Sequence, residues 1–250
     1  MKYFEETEKI KNVEKKGEGT LIASAALGDT LIPIEVKQMP GNEICYICLH
    51  DDEYTAYEAA QEMLRQAGGY LLSVKTGGKR LVSFTLNNEE YTFDPNRIFT
   101  DRGRRLTLNG PPERIADARE AAADFANLLT GAVASTQKHV VALHNNEDAR
   151  YSVDSYIRDG QLEKNAAMCY LSDKEKPFNF FYVTTREVFN YLMENDVNVV
   201  LQHNQEVEDD GSLSVYCAQK EIPYVNLEVK KGQKQEQVRM LMLLNQYFNK

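Results

Sequence analysis

A histidine and a glutamate stand three positions apart where an apolar run ends. In "CLHDDEYTAYEAA", residues 48–60, His50 and Glu53 follow the strand-like "EICYIC" and precede a helical pattern. Solvated turns often carry acids, so a polar turn between a strand and a helix explains the segment. Alternatively, His50 and Glu53 bind one metal ion, because a short turn after a strand can bring both side chains around it. The spacing alone leaves both interpretations open.

Other candidates follow from the place where open α/β sheets bind ligands, which is beyond the carboxyl ends of their strands. His144 ends the run "HVVALH", His203 follows "VNVVLQ", and Glu228 lies late in "IPYVNLEV". His139 opens its strand instead, and we expect it at the opposite edge in a structural role. A catalytic zinc site uses three protein ligands and keeps one position open for water. His144 is therefore the candidate for the third ligand.

The elements that must position these residues are strands alternating with helices. Nine apolar runs have a strand pattern: "TLIASAAL", "LIPIEV", "EICYICL", "YLLSVK", "RLVSFTL", "HVVAL", "NFFYVT", "VNVVLQ" and "PYVNLEV". Four segments have a helical pattern: Tyr54 to Ala67, Pro112 to Leu129, Thr185 to Glu194 and Gln235 to Phe248. This alternation predicts an α/β fold with a central mixed, largely parallel sheet flanked by helices. With no repeat or low-complexity linker, residues 1–250 are predicted to form a single domain.

Composition and charge exclude several classes of function. The net charge of −9 argues against a general nucleic-acid or anionic-membrane binder, since both need a basic face. No window approaches the roughly 18 apolar residues of a membrane span. The N-terminal "MKYFEETEKIKNVEKKGEG" lacks the apolar centre of a signal peptide. We therefore expect a cytoplasmic protein, although a trimmed chain would look the same.

The four cysteines are too few for a disulfide scaffold in 250 residues. Cys45 and Cys48 form a C-x-x-C pair, which can signal a metal or redox site. Both lie in a strand-like run, however, and residues three apart on a strand point to opposite faces. The pair is therefore predicted to be two small core residues.

Four segments together resemble a known enzyme family. "HDDEYTAYEAA" is similar to the His-x-x-Glu-x-Thr-Ala segment of the succinylglutamate desuccinylase and aspartoacylase family, and "YTFDPNRIF" to its Asp-x-Asn-Arg-x-Phe motif. "VVALHNN" resembles the strand that delivers its third metal ligand, and "VNLEV" the strand with its catalytic glutamate. "GSLSVYCAQKEIPYVNLE" also resembles the segment before that glutamate in zinc carboxypeptidases, which share this family's fold and site. The motifs occur in family order across residues 50–228.

The resemblance implies a role for each matching residue. Three would hold zinc: His50, Glu53 and His144. Asn96 and Arg97 would bind a substrate carboxylate, and Glu228 would be the base that activates water. These roles suit the residue types, because guanidinium offers a planar fork of donors to a carboxylate and a glutamate beside zinc can move a proton at neutral pH.

The sequence departs from the family at the arginine that polarises the scissile carbonyl. Arg80 is our candidate for this catalytic role, although its separation from Arg97 is longer than in the desuccinylases. Three alternatives lie in "TDRGRRL": Arg102, Arg104 and Arg105.

A second departure concerns a tyrosine. Carboxypeptidases carry one on a flexible loop before the Gly-Ser pair, where this chain reads "HNQEVEDDGS". Tyr216 and Tyr224 are possible substitutes, but core or interface positions explain both tyrosines better.

These observations predict a zinc-dependent hydrolase of an amide bond next to a free carboxylate. One branch is a carboxypeptidase acting on a peptide, such as a cell-wall peptide, favoured by the segment before Glu228. The other is an N-acyl amino acid deacylase, favoured by "DPNRIF". A non-catalytic metal- or carboxylate-binding protein would not need Glu228. An α/β hydrolase with a serine nucleophile is set aside because the chain has no G-x-S-x-G.

Overall fold

The computed structural model describes residues 1–136, 138–146 and 151–249. The strands are β1 Ile10–Gly17, β2 Thr20–Leu27, β3 Thr30–Met39, β4 Ile44–Cys48, β5 Gly69–Val74, β6 Val82–Leu86, β7 Glu89–Phe93, β8 His139–Asn146, β9 Ala166–Tyr170, β10 Phe180–Val183, β11 Val199–Gln202 and β12 Tyr224–Lys230. The α-helices are α1 Lys2–Glu6, α2 Tyr54–Ala67, α3 Asp101–Thr107, α4 Ile115–Thr136, α5 Arg186–Glu194, α6 Leu213–Gln219 and α7 Lys234–Phe248. Short 3₁₀ helices cover Pro112–Arg114, Val153–Tyr156 and Glu163–Asn165.

Ten strands form one mixed sheet in the order β1-β2-β3-β5-β4-β8-β12-β10-β11-β9, and β6 and β7 form a separate hairpin. The four adjacent strands β5, β4, β8 and β12 are parallel, and so are β10 and β11. The remaining pairs are antiparallel. The predicted α/β class, with helices flanking a mixed sheet that is parallel at its centre, is confirmed. Because β4, β8 and β12 are parallel neighbours, their carboxyl ends lie side by side.

Helices cover both faces of the sheet. Helices α2, α5 and α7 pack on one face and α1, α4 and α6 on the other, each through buried apolar side chains. Every residue of β4 is therefore buried, as expected for a central strand covered on both sides. Strand β1, at one edge, is largely exposed, and its charged residues suit a strand with one unpaired side.

The predicted helices and strands are all present. Helix α2 has the predicted bounds, whereas α4 continues to Thr136 beyond the predicted Leu129. Strands β1, β7 and β9 and helices α1, α3 and α6 were not predicted. Strand β1 is largely exposed and α3 and α6 have seven residues each, so none of them has a long apolar period to detect.

The C-x-x-C pair lies inside the core, as predicted. Both cysteines are buried free thiols, and they belong to the apolar clusters on opposite faces of the sheet. Burial raises the pKa of both thiols to about 12, which keeps them protonated and unsuited to metal binding or redox chemistry at neutral pH.

Among the described residues, no helix combines the length and apolar character needed to cross a bilayer.

Candidate active site

The carboxyl ends of β4 and β8 bring together His50, Glu53 and His144. Nδ1 of His50 lies 3.2 Å from Nδ1 of His144 and 3.1 Å from Oε1 of Glu53. Oε2 of Glu53 lies 3.0 Å from Nδ1 of His144. All three residues are buried. His144 belongs to β8 itself, rather than following the strand, because β8 continues to pair with β12 through Asn146.

This donor set fits a zinc ion. Two imidazole nitrogens and one carboxylate oxygen form a triangle whose atoms lie within 4.8 Å of one another. Metal bonds of roughly 2.0–2.2 Å in a tetrahedral arrangement place ligand atoms about 3.3–3.5 Å apart, close to the observed separations. Nitrogen and oxygen donors of this kind are those of catalytic zinc sites with an open position.

Asp94 orients the first histidine. Its Oδ1 lies 2.8 Å from Nε2 of His50, so the ring presents Nδ1 to Glu53 and His144. A carboxylate that receives the second ring N–H of a metal-binding histidine fixes its tautomer and increases its basicity. Asp94 was not among the residues predicted for the site, although its place in the Asp-x-Asn-Arg motif was a signal.

A buried polar network holds His144. The side chain of Gln237, on α7, donates to the carbonyl of His144 at 3.1 Å and accepts from Asn145 at 3.2 Å. Asn145 also accepts from the backbone N–H of Ala56 on α2. The network therefore joins β8 to two helices on the same face. Gln237 was not predicted, since one glutamine in an amphipathic helix gives no signal of burial.

The charges of the cluster reinforce one another. Burial alone would lower the pKa of His50, but Asp94 and Glu53 outweigh it and raise that pKa to about 9. Burial would raise the pKa of Glu53, yet His144 and His50 hold it well below its ordinary value. The carboxylate of Glu53 and the imidazole of His50 thus stabilise each other's charged form.

Glu228 lies next to this cluster. In β12 it pairs in register with His144 of β8, and its Oε1 accepts from the amide of Asn226 at 3.0 Å. Burial, together with the negative charge of Glu53, raises the pKa of Glu228 despite the opposing effect of His144. A carboxyl group whose pKa is closer to neutrality is better matched to accepting and returning a proton.

Of the four arginines considered for polarising the scissile carbonyl, Arg80 lines the same cavity. It donates to Oε1 of Glu53 at 2.7 Å and lies 3.7 Å from Asp94. Its side chain is 48% exposed. The three alternative arginines do not line the cavity. Arg102 donates to Glu208 and to the carbonyl of Asp209. Arg104 donates to the carbonyl of Ile98, and Arg105 donates to Asp101.

Asn96 and Arg97 reach the cavity from the other side. Nδ2 of Asn96 is 3.5 Å from Nε2 of His144, and its Oδ1 accepts from the backbone N–H of Leu213 at 3.0 Å. Arg97 donates to its neighbour's carbonyl and lies 3.5 Å from Asp210. Its side chain is 39% exposed, which leaves the guanidinium able to bind an incoming anion.

The cavity has a volume of about 490 Å³. Besides the seven predicted site residues, four tyrosines line it: Tyr151, Tyr156, Tyr182 and Tyr224. Tyr224 was one of the two sequence candidates, and the other, Tyr216, does not line the cavity. Tyr182 was missed, because its pairing with Asn226 of β12 depends on the order of strands in the sheet.

The other two histidines stand apart from the cluster. His203 follows β11 and lies 3.7 Å from Glu206, partly exposed. His139 opens β8 at the opposite edge and stacks on Phe248 of α7, with ring centroids 3.9 Å apart.

Solved structures that are similar to this chain include a protein of the family that the motifs resemble. The chain is similar to a succinylglutamate desuccinylase/aspartoacylase from Rhodobacter sphaeroides, with a TM-score of 0.51 and 13% identity over 96% of this chain and 68% of that chain. It is also similar to an ectoine utilization protein from Ruegeria pomeroyi, with a TM-score of 0.48 and 14% identity over 98% and 72% of the two chains. A murein-tripeptide amidase from Escherichia coli O157 matches with a TM-score of 0.44 and 12% identity over 85% and 84%.

No protein-family model matches the sequence, and a search of curated proteins finds no sequence relative. At 13% identity, the likeness to the Rhodobacter sphaeroides structure shows the fold alone. The chain therefore shares the fold of that desuccinylase/aspartoacylase structure, as the sequence motifs predict.

Proposed function

We propose that this protein is a zinc-dependent hydrolase that cleaves an amide bond next to a free carboxylate, in the manner of a carboxypeptidase. One observation carries the proposal. A single cavity is lined by a buried set of zinc-type ligands, a buried glutamate and three side chains that can recognise a carbonyl or a carboxylate. The zinc-type ligands are His50, Glu53 and His144, and the buried glutamate is Glu228. The three side chains that can recognise a carbonyl or a carboxylate are Arg80, Asn96 and Arg97.

The chemistry divides between the metal and the chain. A zinc ion held by His50, Glu53 and His144 would supply a Lewis acid that acidifies water and polarises a carbonyl. Glu228 accepts the proton of the attacking water and then donates it to the leaving nitrogen as the C–N bond breaks. The water oxygen ends in the new carboxylic acid, so the reaction is a balanced hydrolysis.

Arg80 and Arg97 interact with different groups of the substrate. Arg80, at the cavity mouth beside Glu53, is placed to stabilise negative charge on the scissile carbonyl oxygen. Arg97 and Asn96 bind the substrate carboxylate, which replaces the contact of Arg97 with Asp210. That contact is a partly exposed ion pair at 3.5 Å, and such pairs contribute little free energy.

A second candidate is an N-acyl amino acid deacylase. It is favoured by the Asp-Pro-Asn-Arg segment and by the fold likeness to the desuccinylase/aspartoacylase structure, which covers 96% of this chain. Both candidates cleave an amide beside a carboxylate, so the same residues serve either substrate.

Metal content tests the ligand set. Purified native protein and His203→Ala should each hold about one zinc per chain, while His50→Ala and His144→Ala lose most of it. His203 is a matched control because it also follows a strand but lies outside the cluster. Equal zinc in all four proteins, by elemental analysis, would exclude the site.

Hydrolysis of a substrate panel tests the reaction. C-terminal dipeptides and N-acyl amino acids should separate the two candidates by kcat/KM. Glu228→Gln keeps the side-chain shape but cannot accept a proton, so turnover should fall by at least ~10²-fold while zinc stays bound. Near-native turnover in this variant would remove Glu228 from the mechanism. Full zinc without hydrolysis of any substrate would favour a binding protein instead.

A further inference from the structure

The acid next to the first metal-ligand candidate holds a loop of the cavity. Asp51 follows His50, and its Oδ2 accepts hydrogen bonds from the backbone N–H groups of Thr76 and Gly78, both at 2.9 Å. Its Oδ1 accepts from Nζ of Lys75 at 3.2 Å. The Asp51 side chain is only 12% exposed, so three donors converge on a largely buried carboxylate.

The loop that Asp51 binds is mostly exposed. Residues 75–81 connect β5 to β6 and contain Gly77 and Gly78, with φ of +71° and +78° and no atom within 4 Å of an added Cβ. Residues 77–80 are exposed. Within the described ranges, Asp51 is the only side chain outside the loop that hydrogen-bonds to the backbone of residues 76–79. The loop's conformation therefore depends on this carboxylate.

The same loop ends in Arg80, whose guanidinium reaches Glu53 at 2.7 Å inside the cavity. Asp51 and Glu53 belong to the same short turn after β4, two residues apart. The turn therefore contacts the loop twice. Asp51 binds the backbone of Thr76 and Gly78, and Glu53 binds the side chain of Arg80.

Lys75 secures the arrangement from the side of the sheet. Its Nζ lies 3.6 Å from the centroid of the Tyr57 ring, above the first turns of α2. Tyr57 donates in turn to Glu35 of β3. The carboxylate of Asp51 therefore has a fixed cation beside it, and removing the carboxylate would free both the cation and the loop.

We propose that Asp51 is a positioning residue that holds the loop of residues 75–80 so that Arg80 is aligned with the scissile carbonyl. The catalytic half of this inference rests on the proposed hydrolase function. Asp51 itself is not expected to touch the substrate, since it does not line the cavity.

Hydrogen exchange tests the anchoring on the protein alone. In native protein the amides of Thr76 and Gly78 should exchange slowly for an exposed loop, and in Asp51→Ala they should exchange at least about tenfold faster. Asp51→Asn retains one acceptor oxygen and should recover part of the protection. Unchanged exchange in Asp51→Ala would overturn the proposal, whatever the substrate proves to be.

A double-mutant cycle then tests whether Asp51 acts through Arg80. Asp51→Ala should lower kcat about tenfold or more with a smaller change in KM, because misalignment affects the reacting geometry. In an Arg80→Ala background the same change should cost less than about twofold, since the two effects are not additive. Zinc content should stay at its native value in every variant. Lys79→Ala, on the same loop, serves as the control with unchanged activity.

The outcomes separate the two hypotheses. If the effects of Asp51→Ala and Arg80→Ala multiply, Asp51 does not act through Arg80 and the inference is wrong. If Arg80→Ala leaves kcat unchanged, the proposed role of Arg80 fails, and with it the catalytic half of the inference. Loss of zinc in Asp51→Ala would show a general effect on the site and would also overturn the inference.

Discussion

Asp94 and His50 form the pair on which the metal-ligand candidates depend most directly. The carboxylate of Asp94 binds Nε2 of His50 at 2.8 Å, and the His50 ring is buried. His50 is thereby held with Nδ1 toward the other two ligands. Asp94 also accepts from the backbone N–H of Asn96, so one acid orients both a ligand and the segment that carries the carboxylate-binding residues.

Loss of this acid should weaken metal binding. Asp94→Ala is expected to lower zinc affinity by about 10–100-fold, the usual effect of removing a partner from a metal-binding histidine. Competition with a chelator of known affinity measures the change. Asp29→Ala, an exposed acid outside the cavity, is the control. Equal zinc affinity in the two variants would mean that Asp94 has no part in the site.

Arg97 should determine the preference for a free carboxylate. A charge-assisted hydrogen bond in a desolvated pocket is worth ~1.5–3 kcal/mol or more. Amidating the substrate carboxylate should therefore cost native enzyme about tenfold to a few hundredfold in kcat/KM. Arg97→Ala should lose this discrimination, and Arg97→Lys should be impaired because an ammonium lacks the planar fork.

The measurement is kcat/KM for one substrate as free acid and as amide. Arg102→Ala is a matched control, since that exposed arginine binds Glu208 outside the cavity. If native enzyme hydrolysed acid and amide at equal rates, an internal amide would become the better substrate hypothesis.

At the level of elements, the arginine segment is positioned by a close backbone contact. Gly211 precedes α6 with φ of +81°, and a Cβ built there would lie 2.3 Å from the carbonyl oxygen of Arg97 and 2.4 Å from Cα of Gly103 in α3. The carbonyl of Gly211 accepts from the N–H of Phe99 at 2.9 Å. Two glycines therefore let α3 and the turn before α6 approach closely behind Arg97.

Gly211→Ala should therefore destabilise the fold and displace Arg97. A side chain at this φ costs ~1–2 kcal/mol and the overlap with backbone adds about 1–3 kcal/mol to the loss in free energy of unfolding. Gly232→Ala is the matched control, because Gly232 has φ of +87° with no atom within 4 Å of an added Cβ. Gly232→Ala should lose only the ~1–2 kcal/mol that a side chain costs at positive φ. Equal midpoints in denaturant for the two variants would contradict the packing argument.

Across the whole molecule, the two large apolar clusters share the same strands. In β4, Cys45 and Ile47 belong to the cluster on one face, while Ile44, Tyr46 and Cys48 belong to the cluster on the other. Strand β5 is divided in the same way between Leu71 and Leu72. Neither cluster can lose its packing while the central strands keep their native environment, which supports the prediction of one domain.

Residues 1–250 should accordingly unfold as one unit. Calorimetry at several scan rates is expected to give a single transition, with calorimetric and van't Hoff enthalpies that agree. Zinc should move the transition upward, since a ligand that binds only the native state stabilises it. Two separable transitions in the metal-free protein would show that the chain contains two domains.

Much of this site follows from short segments of sequence. His50 and Glu53 are three residues apart at a strand-to-helix turn, and a local turn of that kind brings their side chains together wherever the strand lies. Helix α2 was predicted with its full bounds because its apolar residues recur at helical spacing. The opposite faces of Cys45 and Cys48 follow from the alternation of any strand.

Tertiary structure decided which distant residues join them. Four arginines were possible from the sequence, and only the anchored loop after β5 brings one of them, Arg80, to the cavity. Tyr182 lies beside Asn226 because β10 is inserted next to β12, an order that no local pattern contains. Hydrophobic periodicity specifies which face of a strand is buried, but many sheet orders bury the same faces. The contacts of Asp94, Gln237 and Tyr182 therefore form only when the strands have assembled in their native order.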